Sequence, residues 1–163
     1  MVAFVACVQL PPWIIAAYAW WAAFGVALGF IDIASHRLPD RLTWPAAGGF
    51  LLLAGLAALH GYSGAWLRAA LSAVILTVAL GVCALIWPSR LGRGDVKYGA
   101  AIGAAAGWTS WFAVYAAIFT ATLLGALVGI ALVIARRASR RTQLPFGPFL
   151  FAGTILVVAL LHG

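Results

Sequence analysis

Gly92-Arg93-Gly94-Asp95-Val96-Lys97 is a six-residue polar break between two long apolar runs. It is either a surface loop of a soluble domain or the hydrophilic end of helices buried in lipid, and that choice decides the fold. The segment holds Asp95, one of three acidic residues in a chain of 163. The other two, Asp32 and Asp40, lie just after the first long apolar run. The chain is 66% hydrophobic and 8% charged, whereas ordinary soluble domains are near half apolar and roughly a quarter charged. A domain of this size leaves much of its surface exposed, so this much apolar area calls for lipid as the solvent. The sequence therefore predicts an all-α, polytopic membrane protein, with residues 1–163 as one integral-membrane domain.

Working outward from the break, Asp95 to about Gly107 reads as a short helix of small residues. Gly99, Gly103 and Gly107 recur every fourth position and share one face, which admits close approach of another backbone. Upstream lies an apolar run from Trp66 to Trp87, ended by Pro88. A turn-rich connection, His60-Gly-Tyr-Ser-Gly, separates it from a run at Leu42–Leu59. Before that stands a polar loop, Asp32-Ile-Ala-Ser-His-Arg-Leu-Pro-Asp-Arg, in which Pro39 forbids a continuous helix. Trp13–Ile31 is the first span, set off by Pro11-Pro12. Downstream, a tight turn at Trp108–Trp111 leads into Phe112–Ala135, where Gly125 and Gly129 again stand four apart. The last span follows Pro145-Phe-Gly-Pro148 and ends near Leu161. The longer runs approach the ~20 residues that cross a bilayer, and about six transmembrane helices are expected. The first basic residue is Arg37, so the chain lacks the basic start of a secretory signal, and its first helix is expected to be retained.

The charge pattern gives an orientation. Of the ten lysines and arginines, Arg68 alone falls in the gaps on one side. Arg37, Arg41, Arg90, Arg93, Lys97, Arg136, Arg137, Arg140 and Arg141 fall on the other. The positive-inside rule puts the richer side in the cytoplasm and both termini outside. All three aspartates then lie on the cytoplasmic side. Trp13, Trp66, Trp108 and Trp111 would mark the outer interface, and Trp44 and Trp87 the inner one. The formal charge of +7 sits in short gaps between apolar runs, so lipid headgroups, not nucleic acid, are its expected partner.

Asp32 closes the first span and Asp95 opens the fourth helix. If those helices are neighbours, the two carboxyls can face each other. Paired carboxyls at close range share a proton; one can then take a proton from water while the other gives one to a carbonyl oxygen. That is the arrangement of the aspartic proteases, and it calls for no cofactor. His36, His60 and His162 are scattered and glutamate is absent, so no metal set is expected. Cys7 and Cys83 form no CxxC pair. Gly92 and Gly94 are expected to permit positive φ and a close backbone approach, such as an extended peptide needs. Lys97 stands two residues after Asp95, off its face of the helix; it is either a source of local positive potential or a snorkelling interfacial lysine. Each acid also has a plain structural role to offer. Asp32 fits a stop-transfer charge, Asp95 fits a helix cap, and Asp40, ahead of the second span, is expected to be an N-cap. A different class of function is a transporter or assembly scaffold that uses Asp32 and Asp95 as a proton or cation site.

Three segments carry a family resemblance. Gly92-Arg-Gly-Asp-Val-Lys97 resembles the GxGD motif of the type IV prepilin peptidases, whose commonest form is GxGDxK. Ile31-Asp-Ile-Ala-Ser-His-Arg-Leu-Pro-Asp-Arg-Leu-Thr-Trp-Pro45 is similar to that family's first aspartate segment, and Pro145-Phe-Gly-Pro-Phe149 to the stretch opening its last helix. The resemblance spans about residues 14 to 160. It implies a membrane aspartic endopeptidase that cuts the leader of prepilins or pseudopilins at the cytoplasmic membrane face. Asp32 and Asp95 would be its catalytic pair, and Gly92, Gly94 and Lys97 its motif residues. Many bacterial members carry an extra N-terminal domain with paired CxxC motifs and also N-methylate the product. Nothing in this chain matches that domain, so the resemblance is to the short form, like the peptidases of tight-adherence (Flp-type) pili.

Overall fold

The computed structural model describes residues 11–35, 39–86, 92–136 and 145–162, and these form helices with no strand among them. We number the long helices α1 (Pro12–Ser35), α2 (Asp40–Ala57), α3 (Ser63–Ile86), α4 (Arg93–Thr109), α5 (Trp111–Ile134) and α6 (Gly147–His162). Residues 36–38, 87–91 and 137–144 lie outside the described residues, and with them His36, Arg37, Trp87, Arg90, Arg137, Arg140 and Arg141. The same holds for Cys7 and the rest of the first ten residues.

Three segments are long and apolar enough to cross a membrane: Pro12–Ala34, Arg41–Ile86 and Trp111–Ile134. Gly147–Leu161 is a shorter apolar helix. The 46-residue segment cannot be one straight helix, which at 1.5 Å per residue would run about 70 Å. It breaks at His60 and at Gly61, where φ is +99°. The Trp66 indole N–H donates to the Leu51 carbonyl at 3.0 Å, fifteen residues back. That bond requires the chain to reverse, so α2 and α3 are antiparallel neighbours. Gly61 is the one position in the turn where glycine's conformational freedom is needed.

Many large apolar side chains point out, and alanines make up much of the buried interior. Phe30, Leu52, Leu59, Leu85, Tyr115 and Phe119 are all exposed, whereas α4 is buried without a break from Tyr98 to Trp108. In lipid no hydrophobic force drives helices together, so association rests on close packing, which small residues allow. The α3–α4 contact shows this most clearly. A Cβ on Gly103 would stand 2.5 Å from the Ser72 carbonyl oxygen and 2.8 Å from the Ala73 Cα. Gly107 is as tight against Ser72, and Gly99 lies against Leu80. The four-residue glycine repeat thus meets α3, the helix that precedes it in sequence. A second such contact, not foreseen, joins α5 and α6, where a Cβ on Gly153 would meet the Ala117 carbonyl at 2.9 Å. Gly125 does less, lying in ordinary contact with Phe149.

Around α4 the remaining helices close a bundle. The Tyr18 hydroxyl of α1 donates to the Ala105 carbonyl at 2.9 Å and lies 3.1 Å from the Thr109 hydroxyl. Tyr18 also meets Phe50 of α2 edge-on, and Trp21 of α1 packs on Phe151 of α6. Arg68 has a role that charge bias missed. Its guanidinium donates to the carbonyls of Gly107, Trp108 and Thr109, the orphan acceptors at the end of α4. A cation there also faces the negative end of the helix dipole. Arg68→Ala is expected to lower stability in detergent by about 2–3 kcal/mol, with Arg68→Lys intermediate. A denaturant midpoint unchanged by Arg68→Ala would remove this role.

Several boundaries differ from the sequence reading. Helix α1 runs on through Asp32 to Ser35, because the Asp32 carboxyl has an internal partner and does not have to leave the helix for water. Asp40 is the first helical residue, not the cap. The cap position belongs to Pro39, whose carbonyl accepts from the Leu42 N–H and the Thr43 hydroxyl. The turn before α5 narrows to Ser110, which caps that helix by accepting from the Ala113 N–H at 2.9 Å. Trp108 is buried and so belongs to the core, not to an interfacial belt.

Candidate active site

Asp32 and Asp95 are the two buried acids among the described residues, 5% and 8% exposed. They come from opposite directions. Tyr18 of α1 reaches the far end of α4, and fourteen residues on, Asp32 reaches its first turn. The two helices are therefore antiparallel, and Asp32 and Asp95 share one end of the bundle. The charge on Asp32 acts directly on Asp95.

Each carboxyl has its own backbone donor. Gly92 is the N-cap of α4, and its N–H donates to Asp95 Oδ2 at 3.3 Å. Its carbonyl in turn accepts from the Asp95 and Val96 N–H groups. Glycine has no side chain, so only half of a capping box is formed. Gly92 lies at φ −71°, ψ 146°, an extended conformation open to any residue, and Gly94 is already helical. The expected positive φ is absent at both. A side chain at Gly92 would instead crowd the Asp95 carboxyl, with a Cβ 3.3 Å from Oδ2. Lys97 is half-buried on the next turn.

Asp32 is held by a residue whose part the sequence reading did not assign. The Gly147 N–H donates to Asp32 Oδ2 at 3.0 Å. The first turn of a helix leaves several N–H groups without intrahelical partners. In α6, Pro148 has no N–H to offer, and those of Phe149 and Leu150 go to the Phe146 carbonyl. The Gly147 N–H remains, and it points at the acid. A bond of this kind is stronger when its acceptor is ionised, and the positive end of the α6 dipole adds to it. The signal was in Pro145-Phe-Gly-Pro148: a helix start flanked by prolines with one glycine N–H to spare.

The two acids are therefore unlike. Asp95 lies in the first turn of α4, outside the three segments able to cross a membrane. Burial pushes its carboxyl up from the ordinary 3.8 to about 6; the Asp32 charge adds to the rise, and the Gly92 N–H opposes it. A pair with one carboxyl fixed by a helix N-terminus and the other holding its proton up to about pH 6 can take up a proton at one oxygen and give one at another.

A family model described as the type IV leader peptidase family matches residues 18–134. The match takes in both aspartates and ends before Gly147. No curated protein and no solved structure matches the chain.

Proposed function

The chain belongs to the type IV leader peptidase family, and from that premise we propose that it cleaves the leader peptide of prepilins or prepilin-like proteins by an aspartic mechanism. The proposed site faces the cytoplasm. Family membership makes it a peptidase, a hydrolase that acts on a prepilin-type substrate, and its apolar helices fit a membrane protein. The observation that carries the finer reading is the pair of buried, mutually interacting acids, Asp32 and Asp95.

In this mechanism Asp32 is the base and Asp95 the acid. Water between them loses a proton to Asp32 as its oxygen forms a bond to the scissile carbonyl carbon. Asp95 gives its proton to the carbonyl oxygen, and a tetrahedral diol results. The C–N bond then breaks as the proton on Asp32 passes to the leaving nitrogen, and Asp95 recovers a proton from the diol as the new carboxyl forms. Gly147 steadies Asp32 while it is charged, and Gly92 orients Asp95. The peptide has to be extended at the cut, because a helix hides its scissile bond; unwound backbone within a membrane protein is tolerated where protein or water satisfies it.

The test uses the purified protein in detergent and a peptide spanning a prepilin leader junction. Mass spectrometry is expected to find one cut, at the end of the leader, without added energy or partner protein. Recovery of intact peptide only, together with a pH-driven flux in proteoliposomes, would replace the peptidase by a transporter that uses the same acids.

A further inference from the structure

We infer that Phe149 is a positioning residue for catalysis: its ring, seated on Gly125 of α5, holds the first turn of α6 where the Gly147 N–H meets the Asp32 carboxyl. The inference rests on the peptidase reading above.

Helix α6 meets different neighbours on two faces. Phe146, Phe149 and Gly153 follow one another at three and four residues, so they share one face, and that face lies on α5. A Cβ on Gly125 would stand 3.5 Å from the Phe149 ring and 3.9 Å from the Phe146 ring. At Gly153 the backbones themselves meet, since an added Cβ would stand 2.7 Å from the Ala121 nitrogen. Gly147 and Phe151 stand four apart and face α1 instead. The Gly147 N–H donates to Asp32 Oδ2 at 3.0 Å, and the Phe151 ring packs on Trp21. Helix α6 is thus a spacer between α5 and the acid, and the Phe149 ring, the nearer of the two to Gly125, sets its seat at the end where Asp32 lies.

That end of the helix is weak by itself. A helix start is held best by Ser, Thr, Asp or Asn just ahead of it, and Phe146 in that place has no side-chain acceptor. Its carbonyl accepts from the Phe149 and Leu150 N–H groups, so backbone alone closes the first turn. The residue that donates to Asp32 is a glycine, which has the most backbone freedom to lose on ordering. The backbone contact at Gly153 lies six residues further on, about 9 Å along the helix axis. A donor on such an end keeps its aim only while packing keeps the turn in place. Removing the ring frees the turn ahead of Gly153, and with it the N–H that fixes the proposed base.

The experiment compares wild type, Phe149→Ala, Phe149→Leu, Val157→Ala and Asp32→Asn on the leader-junction peptide, with rates taken per folded protein. Val157 is buried with Ala113, Val114 and Ala117 of α5, at the other end of the same helix contact. Phe149→Ala is expected to lower kcat by about a hundredfold and Phe149→Leu by about tenfold, with KM within about threefold for both. Val157→Ala should lower the melting temperature and leave kcat within about twofold, since sites this far apart act independently. A ring that serves stability alone predicts wild-type kcat in both Phe149 variants, and that result overturns the assignment. So does a loss of kcat in Val157→Ala equal to that in Phe149→Leu, which would mean general loosening of α5 from α6. If Phe149→Ala does not fold, Phe149→Leu decides alone, and a wild-type kcat there removes the assignment. In each of these cases an active wild type and an inactive Asp32→Asn leave the peptidase reading standing. Cutting by Asp32→Asn at the wild-type rate, or none by wild type, removes the peptidase reading and this inference with it.

Discussion

Asp32→Asn and Asp95→Asn are each expected to lower leader cleavage by about 10⁴-fold or more while the protein still folds and reaches the membrane. The size follows from roles that act as one unit. Removing either member of a coupled catalytic set costs nearly as much as removing all of it. Asparagine keeps the shape and an acceptor oxygen, so the Gly147 and Gly92 N–H groups keep partners. What is lost is a base at one position and an exchangeable proton at the other. Stability should move the opposite way for Asp95. A carboxyl raised from 3.8 to about 6 binds its proton more tightly in the folded state than in the unfolded one. The stabilisation this brings is complete below about 3.8 and lost as pH rises through about 6. Above that, folding holds a buried charge against an upper bound of roughly 3 kcal/mol. Asp95→Asn carries no charge and escapes this, so its melting temperature should equal the wild type's near pH 4 and exceed it at pH 7.5. Full cleavage by either variant would sink the dyad, and an Asp95→Asn protein no more stable than wild type at pH 7.5 would sink the account of its burial.

Much of this was readable beforehand, for identifiable reasons. Among the described residues, the order of the long helices followed from apolar runs broken by Pro39 and the polar loops, because lipid allows few ways to satisfy a backbone. The glycine period at 99, 103 and 107 foretold a close contact, since spacing alone fixes which residues share a face. It did not name α3 as the partner; three aligned glycines fit any helix with small residues opposite. Gly147 was missed because its contribution is a backbone N–H, which shows in sequence only through the flanking prolines that mark a helix start and leave that N–H to spare. Arg68 read as a lone exception to charge bias because its partners are carbonyls, which every residue has. Asp40 was placed one position late, since Pro39 could cap without a side-chain donor or acceptor.

Gly103→Leu is expected to leave no folded protein, and Gly103→Ala to cost about 3 kcal/mol or more in detergent. The Cβ added by alanine would stand 2.5 Å from the Ser72 carbonyl oxygen and 2.8 Å from the Ala73 Cα. Both are backbone atoms of α3, so no rotamer change relieves the contact and the helices themselves have to part. Parting them forfeits dispersion along the whole seam, where each contact is small but the sum is large. It also pulls Gly107 and Trp108 away from Arg68, whose hydrogen bonds hold the far end of α4. Movement of α4 displaces Asp95 relative to Asp32, which belongs to α1, so cleavage should fall even in the fraction of Gly103→Ala that folds. A misplacement near 1 Å can cost a hundredfold in rate. Gly48→Ala is the matched control: it lies inside α2 with nothing within 4 Å of the new methyl. There alanine should be neutral or stabilise by about 0.5–1 kcal/mol through helix propensity and a less flexible unfolded chain. Equal melting temperatures for the Gly103 and Gly48 alanine variants would mean that α3 and α4 do not meet backbone to backbone. Such a result would also leave Asp95 without the fixed support on which a two-acid mechanism depends.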